Sequence, residues 1–150
     1  MSNSSSNLKE NYLALISAGK LKEDLAQEAA ISALSDLLTH FLDVHSSRAV
    51  QGIYLHGQVG RGKTMLMDLF FEAIPIKRKQ RIHFHRFMES VHHQLNTTLG
   101  IENPLRHIAK AWANNIDVLC FDEFYVSDIA DAILLSGLLH GFIENDVVIV

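Results

Sequence analysis

One stretch constrains this chain more than any other. The apolar run Gly52-Ile53-Tyr54-Leu55-His56 leads into Gly57-Gln58-Val59-Gly60-Arg61-Gly62-Lys63-Thr64-Met65, and an amphipathic segment follows. From Gly57 to Thr64 the spacing is G-x-x-x-x-G-K-T without departure, the form of a strand-to-helix phosphate loop. Glycines suit such a loop because successive backbone N–H groups must converge on an anion, and a side chain would hold it away. Gly60 adds a third pliant position. The helix expected from Lys63 points its positive end at the same place, Lys63 is placed to reach β- and γ-phosphates, and the Thr64 hydroxyl suits magnesium. Candidate nucleotide-binding residues are therefore Gly57, Gln58, Val59, Gly60, Arg61, Gly62, Lys63, Thr64 and Met65.

The rest of the chain supplies an α/β pattern. Met1 to Asn7 reads as a polar, disordered leader. Helices are predicted over 8–18, stopped by Gly19, and over 22–44 with Leu25, Ala29, Leu34, Leu37, Leu38 and Phe41 as the apolar side. Gly52–His56 reads as a buried strand. A helix over 63–73 ends before Pro75, and 81–85 alternates as a strand. Helices are expected over 87–99 and 104–114, a strand over 117–121, a helix from a Ser127 cap to Phe142, and a strand beginning at Val147. Strands alternating with helices predict a largely parallel sheet. Residues 1–50 read as an N-terminal helical segment and 51–150 as a partial P-loop domain.

The run Val118-Leu119-Cys120-Phe121-Asp122-Glu123 places two acids where an apolar strand leaves the core. Beside a phosphate loop, Asp122 is the candidate second magnesium ligand and Glu123 the candidate base that orients and activates water. With Lys63, Glu123 forms the candidate catalytic set. An adjacent glutamate favours ATP hydrolysis over phosphate transfer to a second substrate.

Composition excludes more than it selects. The 150 residues are 48% hydrophobic with a formal net charge of -4, which gives a globular chain without the charge of a strong nucleic-acid binder. The single cysteine, Cys120, sits in an apolar run and reads as buried; no internal disulfide is possible, which suits a reducing cytosol. No secretory pattern opens the chain, and no arginine precedes Arg48. The apolar-rich run 132–143 is too short to cross a bilayer, so a soluble cytoplasmic protein is expected.

Lesser signals are read against plainer alternatives. His83 and His85 would share a strand face, with His92 and His93 on the next helix, but packing or a partner surface outweighs a zinc site because no further ligands complete the set. Lys77, Arg78, Lys79 and Arg81 form the one basic cluster, a solvated loop rather than a nucleic-acid surface. Asp128 and Asp131 complement a helix N-terminus. Gln27 is weighed as an adenine contact against simple helix polarity.

Three runs carry a resemblance: Gly52 to Phe71, then Arg81-Ile82-His83-Phe84-His85-Arg86-Phe87-Met88 with Val91 and His92, and Leu119-Cys120-Phe121-Asp122-Glu123-Phe124 with 126–132. Together they resemble the ZapE cell-division ATPase family, AAA-like ATPases with mitochondrial relatives. Tyr12, Gly19, Asp24 and Gln27 are similar to its N-terminal pattern. The resemblance implies an AAA-like P-loop three-layer sandwich and a magnesium-dependent ATPase acting on a protein partner, the FtsZ ring in bacteria. It also implies a longer protein, oligomeric in its full-length form, with a polar sensor, an arginine finger and a helical lid beyond Val150, so this chain reads as an N-terminal portion truncated at its C-terminus, its binding residues present and its catalytic apparatus incomplete. A nucleotide-gated binding module and a DNA-linked loader ATPase are the alternatives.

Overall fold

The computed structural model describes residues 3–42, 52–58, 60 and 62–150. The chain forms two compact units, Met1–Lys77 and Arg78–Val150. In the first, helix α1 spans Asn3–Ser17, α2 spans Leu25–Leu42 and α3 spans Lys63–Ala73. Helical structure thus begins inside the leader expected to be disordered, because the serines continue the α1 backbone ladder ahead of Leu8. Leu8 and Tyr12, one turn apart, are buried with Ile31, Leu34 and Leu38 of α2 and Leu66, Met67 and Phe70 of α3. Apolar spacing at three and four residues makes this core. Gly19 has φ +72°, and Lys20 N donates to Leu15 O, so glycine ends α1 as a left-handed cap. Asp24 opens α2, its Oδ1 accepting from Ala26 N at 2.8 Å. The predicted end of this helix at Val44 lies outside the described residues.

The expected strand Gly52–His56 is not formed. Gly52 makes a single β-bridge, and 53–58 have no regular structure. Its apolar residues satisfy the pattern of a strand, but a strand also requires ladder partners, and Tyr54 and His56 stand exposed.

The second unit holds β1 (Lys79–His83), α4 (Phe84–Thr97), α5 (Pro104–Ala113), β2 (Val118–Asp122), α6 (Ile129–Glu144) and β3 (Val148–Ile149). The sheet is parallel in the order β1-β2-β3. Val118 to Phe121 of the central strand are buried, as expected of an apolar strand covered on both faces. Phe121 meets Phe84 and Phe87 of α4 edge-on at ring separations of 5.7 and 4.8 Å. The strand predicted over 81–85 keeps its length but lies two residues earlier, at Lys79–His83. Phe84, Phe87, Met88 and Val91 are all buried at helical spacing, so the chain turns into α4 directly after His83 and carries His85 onto that helix. Asp128, rather than Ser127, caps α6 by accepting from Ala130 N at 2.9 Å. The expected strand at Val147 is recovered at Val148, and Val150 N extends its ladder to Leu119 O.

Two glycines on α6 face α5. A Cβ at Gly141 would lie 2.6 Å from Ala109 Cβ, whereas one at Gly137 would meet the flexible end of Leu105. Gly141→Ala is therefore expected to lower stability by about 1–3 kcal/mol through overpacking, despite the gain of about 1 kcal/mol in helix propensity. Gly137→Ala is expected to change stability by less than about 1 kcal/mol, because Leu105 can rotate away. Urea unfolding midpoints check both.

Candidate nucleotide site

The loop ahead of α3 is shaped by left-handed glycines. Gly60 has φ +84° and Gly62 φ +86°, and Gly62 is the residue from which α3 starts. No side chain caps that helix and no acid occupies its first turn, so its N-terminal N–H groups and dipole present an anion-attracting end. Lys63 folds back over the loop, its Nζ donating to Gly57 O at 2.6 Å and Gln58 O at 2.9 Å. The ammonium thereby ties the start of the loop to its end. Thr64 is exposed in the first turn of α3, and Met65 is half-buried. Val59 and Arg61 lie outside the described residues.

An open cleft of about 390 Å³ borders this loop. Gly57, Gln58 and Lys63 line one part of it, His56, Leu55 and Leu66 another, and Asp24, Ala26, Gln27 and Ala30 of the α2 start a third.

In the second unit β2 delivers Asp122 at its last position and Glu123 one residue beyond. The parallel register sets His83 opposite Asp122 and Arg81 opposite Cys120. Arg81 grips Asp122 with two parallel hydrogen bonds, Nε to Oδ2 at 2.6 Å and Nη2 to Oδ1 at 2.8 Å. Such a fork-to-fork pair is both strong and orienting. His83 Nε2 lies 2.9 Å from Glu123 Oε2. Glu123 itself has φ +50°, a left-handed conformation that costs a β-carbon residue energy and that clusters at functional positions.

Sequence reasoning missed these two partners. In the sequence Arg81 belongs to a solvated basic cluster, whereas in the fold Arg81 binds Asp122 and Arg78 binds Asp117 Oδ2 at 2.9 Å as well as the carbonyls of Asn114 and Ala113. The available signal was alternation: Arg81 and His83 sit two apart on the strand preceding the acidic one. Among the described residues, His85 pairs with Glu89 and His92 with Asp131. Asp131 therefore serves a side-chain pair as well as the α6 N-terminus.

Taken each by itself, the Thr64 hydroxyl in the first unit and the Asp122 carboxylate in the second are hard oxygen donors of the kind magnesium takes. Arg81 already holds both oxygens of Asp122, so this carboxylate has a fixed orientation and shares its charge. Cys120 is fully buried, and burial pushes its thiol up to about 12, leaving it a neutral core group. Among the described residues, no helix is long and apolar enough to cross a membrane.

Residues 6–150 match the AFG1-like ATPase family. The chain is 52% identical over 101 residues to Cell division protein ZapE of Escherichia coli K12, a match covering 67% of this chain and 27% of that protein. It is 50% identical over 105 residues to an uncharacterized protein of Schizosaccharomyces pombe, covering 66% of this chain and 23% of the relative. Lactation elevated protein 1 homolog B of Danio rerio is 42% identical over 111 residues, 67% of this chain and 22% of its own length. The chain thus spans about a quarter of the length of these curated relatives. No solved structure matches it. Since the family match takes in nearly the whole sequence, phosphate loop and acidic strand included, the chain belongs to the AFG1-like ATPase family.

Proposed function

We propose that the complete protein is a magnesium-dependent ATPase of the ZapE cell-division type, cytoplasmic, whose hydrolysis cycle acts on a protein partner, the FtsZ ring by resemblance. Residues 51–150 contribute its ATPase core, completed in the whole protein as an AAA-like three-layer sandwich, and residues 1–50 a helical segment in front of it. The observation that carries this reading is the loop: a left-handed Gly62 opening an uncapped helix, with Lys63 folded over the Gly57 and Gln58 carbonyls. Backbone N–H groups from Gly57 to Met65 bind and orient the phosphates, and Lys63 adds positive charge. Thr64 and Asp122 hold magnesium, which when bound neutralises charge developing on the phosphates. Glu123 orients water and takes its proton.

A second reading, nucleotide-gated binding of a partner without turnover, is favoured by one observation. Both acids are engaged, Asp122 by Arg81 and Glu123 by His83. Phosphate release from ATP and magnesium, measured together with ATP-dependent co-sedimentation with FtsZ filaments, separates the two readings. Release coupled to co-sedimentation supports the ATPase; co-sedimentation with ATP and no release supports the gated module. Neither would contradict both.

A further inference from the structure

The cleft beside the phosphate loop has a wall that the loop sequence does not account for. It runs from Lys63 past Leu55, His56 and Leu66 to Asp24 and Gln27 at the start of α2, so a ligand anchored by its phosphates has one continuous space in which to lay an attached group. Leu55 and Leu66 give that space apolar surface, and Gln27 gives it an amide. This combination, apolar walls with a few placed polar groups, suits a nucleobase.

Gln27 is held on two sides. The hydroxyl of Tyr12, a residue only 2% exposed, donates to Gln27 Oε1 at 3.2 Å. At the other end of the amide, Nε2 lies so close to Gly62 that a Cβ there would come within 2.7 Å of it. Burial, and then Glu28, Asp24 and Glu23, hold the Tyr12 phenol above its usual range, so it remains a donor. The amide is thus packed against the glycine that starts α3, with its orientation fixed from α1.

We propose that Gln27, oriented by Tyr12 and seated against Gly62, is the specificity-determining residue of the nucleotide site and selects adenine over guanine. This deepens the phosphate-loop reading and rests on it. An amide offers an acceptor oxygen with a second lone pair and donor N–H groups side by side, the complement of the amino donor and ring-nitrogen acceptor that adenine presents together. Guanine carries a carbonyl oxygen in place of that amino group, which faces the amide oxygen without a hydrogen. Tyr12 is a positioning residue: its hydroxyl, donating to Gln27 Oε1, anchors the oxygen end of the amide.

Calorimetric titrations of the 150-residue chain with ATP, GTP and inorganic tripolyphosphate, each with magnesium, test this. Gln27→Ala is expected to weaken ATP roughly tenfold while leaving tripolyphosphate within about twofold, so that ATP and GTP converge. Tyr12→Phe, which removes only the hydroxyl, is expected to narrow the same ATP-to-GTP ratio with tripolyphosphate again unchanged. Equal losses of ATP and tripolyphosphate in Gln27→Ala would overturn the proposal, because Gln27 would then merely brace the loop through Gly62. An unaltered chain that binds tripolyphosphate but does not distinguish ATP from GTP would overturn it while leaving the phosphate-loop reading intact. Failure to bind either ATP or tripolyphosphate would overturn both.

Discussion

Lys63→Ala is expected to weaken ATP binding by roughly 100-fold or more, the loss of charge-assisted hydrogen bonds worth about 1.5–3 kcal/mol each. Two effects combine. The ammonium supplies the point charge that phosphates need, and its bonds to Gly57 O and Gln58 O also close the loop on itself. Lys63→Arg is expected to recover only part of the affinity, because a planar fork does not replace a compact ammonium at that position. Helix α3 should survive either change, since Leu66, Met67 and Phe70 bury its opposite face. Circular dichroism alongside calorimetry separates lost binding from lost folding.

Glu123→Gln is expected to behave in the contrasting way, keeping ATP affinity within a few-fold while lowering turnover about 100- to 10,000-fold, the usual contribution of a positioned general base. The amide keeps the shape and a hydrogen-bond acceptor for His83 but cannot take a proton from water. The left-handed backbone at Glu123 persists in this variant, so folding is little affected. Phosphate release and nucleotide affinity measured on the same preparation check it. Equal losses of binding and turnover would contradict a base at this position.

Much of this was readable in the sequence where local chemistry punctuates the chain. Gly62 and Pro75 bracket α3, and the helix spans the predicted Lys63–Ala73. The apolar run before Asp122 and Glu123 gave β2 to within one residue, because a strand buried on both faces leaves no room for polar alternation. Partnerships between distant segments were not readable. Residues 53–55 have the composition of a strand, yet no strand forms there, because a ladder depends on another segment lying alongside in register. Ile82 and Phe84 alternate as if one strand continued, but Phe87, Met88 and Val91 give Phe84 a better place as the first buried residue of a helix. Arg78 and Arg81 looked like a basic surface because Asp117 and Asp122 lie far along the chain. The same distance hid the most informative contact of the acidic strand, its clasp by Arg81 and His83.

The central claim is that Gly57 to Met65 is a working phosphate cradle. Titrating magnesium and ATP into the unaltered chain and into Lys63→Ala by calorimetry, both verified as folded, tests it most directly. The predicted result is a saturable isotherm for the unaltered chain that is lost with Lys63→Ala. A folded unaltered chain that gives no binding heat at any temperature tried, or two chains with the same affinity, would contradict it.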